Sequence, residues 1–211
     1  MDWELCETGP EDAEHTVLLL PGGLTAARLY TEVMAEPALK AMWLVAATLP
    51  GHCGTRPPGD ITVENYARLA AELANERGCD VVVGFSMGAT VALEMVASGV
   101  FPGPAVLLGI SMSTKDEAVF FRAIVRLGSV LGGIPSAALL RMTGMMLKAL
   151  ALPSDRKAEL AADFRRNDPR VIRRLLREYV RYLSRHADSA SRLCDAGVPA
   201  WIVHAEKVTE G

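Results

Sequence analysis

The segment Val81-Val82-Val83-Gly84-Phe85-Ser86-Met87-Gly88-Ala89-Thr90 decides the fold. It has the pattern of a buried strand, a tight G-x-S-x-G turn and the start of a helix. A serine hydroxyl is a poor nucleophile at its ordinary pKa, so the chain must hold it where a base and a substrate carbonyl can both reach it. A sharp strand-to-helix turn does this, and the glycines on either side relieve its crowding. The pattern predicts that Ser86 is a catalytic nucleophile and that the backbone N–H of Met87, at the positive end of the helix, stabilises an oxyanion.

A different interpretation of the same segment is a tight strand-to-helix turn that needs small residues only for packing. A phosphate-binding loop is excluded more firmly, because neither G-x-G-x-x-G nor G-x-x-x-x-G-K-[ST] occurs in it.

A second glycine turn ends an earlier apolar run, at Pro21-Gly22-Gly23-Leu24. Such a turn can aim a backbone N–H at the same oxyanion from the opposite side. We predict that Gly23 supplies this donor, with Leu24 as the next candidate. The alternative is a flexible turn with no role in chemistry.

The rest of the pattern predicts an α/β fold, with a mostly parallel sheet and helices on both faces. Short aliphatic runs alternate with longer helical patterns, and the runs are apolar throughout, as in strands covered on both sides. Predicted strands cover residues 16–20, 43–48, 80–85, 105–110 and 200–204, with a short edge strand at 3–6. Predicted helices cover residues 26–34, 62–77 and 87–97.

After the strand that ends near Ile110, about 85 residues show no strand pattern. They are predicted to form four helical segments, broken at Gly132-Gly133, at Pro153 and at Asp168-Pro169. We therefore predict a helical cap at 111–195, inserted in a core made of 1–110 and 196–211. Its last helix is expected to begin with Asp168 as N-cap and to carry an apolar face opposite a face of five arginines.

The amino-acid composition and net charge indicate which kind of molecule the protein binds. Half of the 211 residues are apolar and the formal net charge is −3, so a small-molecule substrate is favoured over nucleic acid or membrane. The arginine face lacks interleaved aromatic residues and is interpreted as a solvated surface. The acidic N-terminus does not resemble a secretory signal, which predicts a cytoplasmic location. Four scattered cysteines without metal-ligand spacing predict reduced thiols, with no metal and no cofactor.

Three motifs follow one another along the chain: Pro21-Gly22-Gly23, Leu49-Pro50-Gly51-His52-Cys53-Gly54-Thr55 and Gly84-Phe85-Ser86-Met87-Gly88. In these motifs and in their order, the sequence resembles the α/β-hydrolase fold family, and within it the serine hydrolases that carry a helical cap. The resemblance implies hydrolysis of a small or medium acyl ester through an acyl-enzyme on Ser86. Pro21 stands where the family usually has His, which does not disable a backbone donor. Met and Phe residues of the cap would form an apolar acyl pocket, although core packing explains most of them equally well.

The same resemblance implies the order Ser, acid, His for the catalytic triad. Only His186 and His204 follow Ser86, and the family's His would lie beyond residue 211. We therefore expect a C-terminally truncated hydrolase or a relative that has lost catalysis. Weak candidates for the acid are Glu206, Glu210 and Asp116. Two further possibilities remain open: a non-catalytic small-molecule binding module, and a lyase, peroxidase or dehalogenase on the same fold.

Overall fold

A six-stranded sheet runs through the described part of this computed structural model, which comprises residues 3–112 and 153–204. Its spatial order is β1-β3-β2-β4-β5-β6. Only β1 is antiparallel to its neighbour, and the other pairs are parallel, which confirms the mostly parallel sheet. The strands are β1 (Leu5–Thr8), β2 (Thr16–Leu20), β3 (Trp43–Ala47), β4 (Val81–Phe85), β5 (Ala105–Leu108) and β6 (Ala200–Val203).

Helices cover both faces of the sheet, as predicted. Alternate residues of a strand point to opposite faces. On β2, Leu18 and Leu20 belong to one apolar cluster with Tyr66, whereas Val17 and Leu19 belong to another that includes Tyr30. The helices are α1 (Thr31–Met34), α2 (Val63–Glu76), α3 (Met87–Ala97), α4 (Ser154–Arg166), α5 (Pro169–Arg185) and α6 (Ser189–Asp195).

Local signals explain where the helices begin and end. The hydroxyl of Thr62 accepts a hydrogen bond from the N–H of Asn65 and caps α2, which ends before Gly78 at a φ of +66°. The helix predicted at 26–34 is instead a 3₁₀ turn, Ala27–Tyr30, followed by the single turn of α1.

Helix α5 has the amphipathic form that its sequence predicts. The Asp168 carboxylate accepts a hydrogen bond from the N–H of Arg170 at 2.7 Å, and Pro169 is the first helical residue. The opposite face is exposed and carries Arg170, Arg174, Arg177, Arg181 and Arg185. The buried face packs into the core and carries Ile172, Leu175, Tyr179, Tyr182 and Leu183.

The predicted break at Gly132-Gly133 lies outside the described residues, and the division into a core and a cap at 111–195 stays a prediction. Within 3–112 and 153–204, no helix is long and apolar enough to cross a membrane.

A buried polar cluster joins α3, α5 and α6. Glu94 of α3 is only 4% exposed, and its Oε2 accepts a hydrogen bond from the Tyr182 hydroxyl at 2.6 Å. The same oxygen lies 2.8 Å from the guanidinium of Arg192. A carboxylate taken out of water is stable only with such partners. The cluster therefore fixes the helix that follows Ser86 against the C-terminal helices.

We predict that Arg192→Met lowers the free energy of unfolding by about 2–3 kcal/mol, because it leaves the Glu94 carboxylate buried without its cation. Arg68→Met is the matched control, since its partner Glu72 lies on the exposed surface and such pairs contribute less than about 1 kcal/mol. Urea unfolding of both variants tests the difference. Equal losses would contradict this role for the cluster.

Candidate active site

The two predicted oxyanion segments are neighbours because β2 and β4 are adjacent and parallel. Leu20, the last residue of β2, is paired in the sheet with Gly84, the next-to-last residue of β4. Both chains therefore leave the sheet side by side at its carboxyl edge, which is where open α/β sheets bind ligands. The structure thus brings Gly23, Ser86 and Met87 to one place.

Ser86 occupies the strained backbone position that a nucleophile elbow requires. Its φ is +52° and its ψ is −115°, outside the regions that ordinary L-residues favour. The residue is partly exposed, and its own N–H donates to the Leu108 carbonyl at 2.9 Å. Such strain costs on the order of 1–3 kcal/mol and is found mainly at functional sites.

The glycines at 84 and 88 are required by space. A Cβ on Gly84 would lie 2.5 Å from the Cα of Ala89 and closer still to the carbonyl of Gly88. A Cβ on Gly88 would lie 2.5 Å from the carbonyl oxygen of Pro21 and closer still to that of Leu20. Helix α3 can therefore approach β2 and β4 only with glycine at both positions.

The glycine turn after β2 packs directly against the elbow. A Cβ on Gly22 would lie 3.4 Å from the Cβ of Ser86, and one on Gly23 would lie 3.5 Å from the sulfur of Met87. Neither Gly23 nor Met87 donates its backbone N–H to another residue in the described ranges. Two unpaired N–H groups beside one serine hydroxyl can stabilise negative charge that develops on a substrate oxygen.

Helix α3 adds to this stabilisation. It begins at Met87, directly after Ser86, and runs for 11 residues. Its first N–H groups are without helical partners and carry a partial positive charge. The charge favours an anion beside the N-terminus of α3, next to Ser86.

Asn167, which the sequence analysis did not single out, fastens two further strained residues near the site. Among the described non-glycine residues, only Leu24, Cys53 and Ser86 have a positive φ. The Asn167 side chain donates to the Leu24 carbonyl at 3.1 Å and accepts from the Cys53 N–H at 2.9 Å. It lies between α4 and α5, so these helices are joined to the glycine turn after β2 through Leu24. No local sequence signal points to this long-range contact.

Cys53 is not a second nucleophile. Burial raises the pKa of its thiol to about 11, and the sulfur donates to the Leu24 carbonyl at 3.2 Å. The thiol therefore stays protonated near neutral pH. All four cysteines are unpaired, as predicted.

Two arginines attach α4 to the segment that follows the glycine turn after β2. Arg28 makes a two-pronged ion pair with Asp163, whose side chain is 1% exposed. Arg156 donates to the Arg28 and Leu29 carbonyls and pairs with Glu32. Bidentate guanidinium contacts of this kind fix orientation as well as distance.

The four histidines all lie within the described residues, and the contacts of His15, His52 and His186 are with residues other than Ser86. His15 is exposed beside Asp80 at the amino edge of the sheet, 2.7 Å from its carboxylate. His52 is buried, and its Nδ1 donates to the Leu49 carbonyl at 3.1 Å, which agrees with a structural role. His186 contacts the ring of Tyr182 and lies 3.5 Å from Glu64.

His204 lies at the correct edge but far from the elbow. It follows β6 and is exposed. Strand β6 pairs with β5, which pairs with β4, so two strand spacings, about 10 Å, separate it from the strand that carries Ser86. No histidine of this sequence is hydrogen bonded to Ser86.

The remaining predicted site residues are only partly described. The acid candidates Asp116, Glu206 and Glu210 lie outside the described residues, as do most Met and Phe residues of the predicted acyl pocket. Met112 is described, and it packs against the main apolar cluster. Among residues 3–112 and 153–204, no group of three or more His, Cys, Asp or Glu could hold a metal ion.

Comparison with known protein families finds a match to one family model. The sequence profile described as "Alpha/beta hydrolase family" matches residues 17–207. A search of the curated proteins found no match.

Solved structures share the fold at low sequence identity. The N-acyl homoserine lactonase AidH, in complex with N-butanoyl homoserine, has a TM-score of 0.72 and 16% identity, over 97% of this chain and 78% of that one. A putative aryl esterase from Burkholderia cenocepacia has a TM-score of 0.68 and 13% identity, over 94% and 84%. MenH from S. aureus has a TM-score of 0.68 and 16% identity, over 98% and 91%.

We predict that Gly88→Ala destabilises the protein by about 3 kcal/mol or more, although alanine is the better helix former by about 1 kcal/mol. The added methyl group would overlap two backbone carbonyls, which cannot move without breaking β2 from β4. Gly59→Ala is the control, because a Cβ there meets nothing within 4 Å. A Gly88→Ala protein as stable as wild type in urea would show that α3 does not approach the sheet this closely.

Stability should also depend on His52. Burial lowers its pKa from 6.5 to about 4, so between these values the unfolded chain binds a proton that the folded protein does not. Stability from this group is complete above pH 6.5 and is lost as the pH falls, by about 3 kcal/mol at pH 4. Unfolding measured from pH 7 to 5 should show a loss that His52→Gln removes.

His15 is the control for this measurement, because its effect on stability has the opposite dependence on pH. The hydrogen bond to Asp80 raises the pKa of His15, so its contribution is present at low pH and is lost as the pH rises. His15→Gln should therefore steepen the loss of stability on acidification. If His52→Gln leaves the wild-type pH profile unchanged, the ring of His52 is not buried in neutral form.

Proposed function

Because this chain belongs to the α/β-hydrolase family, we propose that it is a serine hydrolase that cleaves an acyl ester bond in a small or medium-sized molecule. The observation that carries the proposal is the strained backbone of Ser86 beside two unpaired N–H groups, those of Gly23 and Met87. Packing alone gives no reason to keep a partly exposed serine in a strained conformation at the edge of a buried sheet.

In the proposed reaction, the Ser86 Oγ attacks the carbonyl carbon of the ester while its proton passes to a base. The carbonyl oxygen becomes negative and accepts hydrogen bonds from the N–H groups of Gly23 and Met87. The bond to the alcohol oxygen then breaks, and the alcohol leaves with that proton. Water attacks the resulting acyl-enzyme and releases the acid, which restores the Ser86 hydroxyl.

The names of structural neighbours support an acyl bond as the target. They include an N-acyl homoserine lactonase, a putative aryl esterase and a thioesterase domain from a curacin biosynthetic pathway. A lactone, an aryl ester and a thioester each present a carbonyl carbon with an oxygen or sulfur leaving group. The chemistry that this site could supply, one nucleophile and two oxyanion donors, is common to all three.

A second candidate function is the binding of a small molecule without turnover. It is favoured by the position of the histidines, since none is hydrogen bonded to Ser86 and His52 is buried against Leu49. A serine without a base loses several orders of magnitude in turnover but keeps its binding pocket and oxyanion donors.

We expect a fluorophosphonate probe to label the protein at Ser86 and 4-nitrophenyl butyrate to be hydrolysed slowly. Added imidazole should raise both rates by at least about tenfold, because it can take the proton for which no histidine is in place. Mass spectrometry locates the label, and absorbance follows the ester. Ser86→Ala should abolish labelling and the imidazole-dependent turnover.

Ser98→Ala is the matched control. Ser98 is exposed at the other end of α3, where its hydroxyl donates to the Glu94 carbonyl. This variant should label and turn over as wild type does. Labelling that survives Ser86→Ala would exclude Ser86 as the nucleophile. No labelling with or without imidazole, combined with measurable binding of the ester, would favour the binding module.

A further inference from the structure

Thr25 is a buried polar residue two positions beyond Gly23, and its role is not explained by packing. The residue is 8% exposed in a turn that is otherwise apolar or glycine. The hydroxyl donates to the carbonyl of Gly22 at 2.8 Å, and its backbone N–H approaches the same oxygen at 3.3 Å. One carbonyl therefore accepts twice from one residue, which is more than closure of the turn requires.

The carbonyl of Gly22 and the N–H of Gly23 belong to the same peptide group. That group is trans, since the described residues contain no cis peptide bond, so its C=O and N–H point in opposite directions. The carbonyl points towards Thr25 in the protein interior. The N–H of Gly23 therefore points away from Thr25, in a turn where a Cβ on Gly22 would lie 3.4 Å from the Cβ of Ser86.

Glycine on both sides makes this peptide easy to rotate. Residues without a Cβ have access to most of φ/ψ space, so neither Gly22 nor Gly23 fixes the plane by its own conformational preference. At the far end of the turn, the Asn167 side chain donates to the Leu24 carbonyl and restricts the rotation of that residue. At the near end the Tyr30 hydroxyl donates to the Leu20 carbonyl at 2.9 Å, directly before Pro21. Between these two ends, the side-chain hydrogen bond to the Gly22–Gly23 peptide comes from the hydroxyl of Thr25.

We propose that Thr25 is a positioning residue for the oxyanion donor: its hydroxyl fixes the Gly22–Gly23 peptide so that the N–H of Gly23 faces the Ser86 site. This inference rests on the proposed function for its catalytic consequence. The orientation of the peptide is a property of the free protein and can be tested without turnover.

Thr25→Val and Thr25→Ser separate the hydroxyl from the shape of the side chain. Valine keeps the volume and loses the hydrogen bond, whereas serine keeps the hydrogen bond. With 4-nitrophenyl butyrate and imidazole, Thr25→Val should lower kcat by about 10- to 100-fold at nearly constant KM, part of the 10²–10³-fold that removal of a whole oxyanion donor costs. Thr25→Ser should stay within about threefold of wild type.

A crystal structure of Thr25→Val supplies the second readout. We expect the Gly22–Gly23 peptide to have rotated, with the Gly22 carbonyl turned from residue 25, while the elbow at Ser86 is unchanged. An unrotated peptide, or wild-type kcat in Thr25→Val, would overturn the proposal. Loss of activity in both variants together with a lower melting temperature would also overturn it, in favour of a structural role.

The two proposals can fail separately. If wild type shows no turnover that depends on Ser86, the proposed function is wrong, and the crystal structure of Thr25→Val still decides whether the hydroxyl sets the peptide. If turnover depends on Ser86 but not on the residue 25 hydroxyl, the function stands and the role of Thr25 is wrong.

Discussion

The positive φ of Ser86 is the constraint on which the rest of the site depends. It places the hydroxyl at the carboxyl edge of the sheet, at a cost of about 1–3 kcal/mol, and the surrounding structure must hold it there. Strand β5 does so on one side, because the N–H of Ser86 donates to the carbonyl of Leu108. Helix α3 does so on the other side. It packs so closely against β2 and β4 that a Cβ on Gly84 or Gly88 would overlap backbone atoms. The elbow is thus maintained by contacts that also define the fold.

Strain is not confined to Ser86. Leu24 and Cys53 also have positive φ values, and the single side chain of Asn167 bonds to both. The ion pairs of Arg28 and Arg156 attach α4 to the same region. A displacement of α4 and α5 would therefore reach the glycine turn after β2 through hydrogen bonds. The geometry of the turn and the position of these helices are physically coupled.

Local patterns in the sequence predict most of the fold and the centre of the site. The valine run and G-x-S-x-G predict β4, the elbow and α3, and Asp168-Pro169 predicts the start of α5, because each depends on neighbours in sequence. The contact of Asn167 with Leu24 joins residues 143 positions apart. The hydrogen bond of Thr25 acts on the orientation of a single peptide group, that between Gly22 and Gly23. No periodicity encodes such contacts. The 3₁₀ turn at Ala27–Tyr30 was missed for a similar reason, since its shape follows from packing on the sheet.

The central claim is that the hydroxyl of Ser86 and the N–H groups of Gly23 and Met87 face one point. A crystal structure of the protein after reaction with phenylmethylsulfonyl fluoride tests it most directly. We expect a sulfonyl group bonded to the Ser86 Oγ, with one sulfonyl oxygen within about 2.7–3.1 Å of both nitrogens. An adduct on another residue, or one on Ser86 whose oxygens point away from Gly23 and Met87, would contradict it.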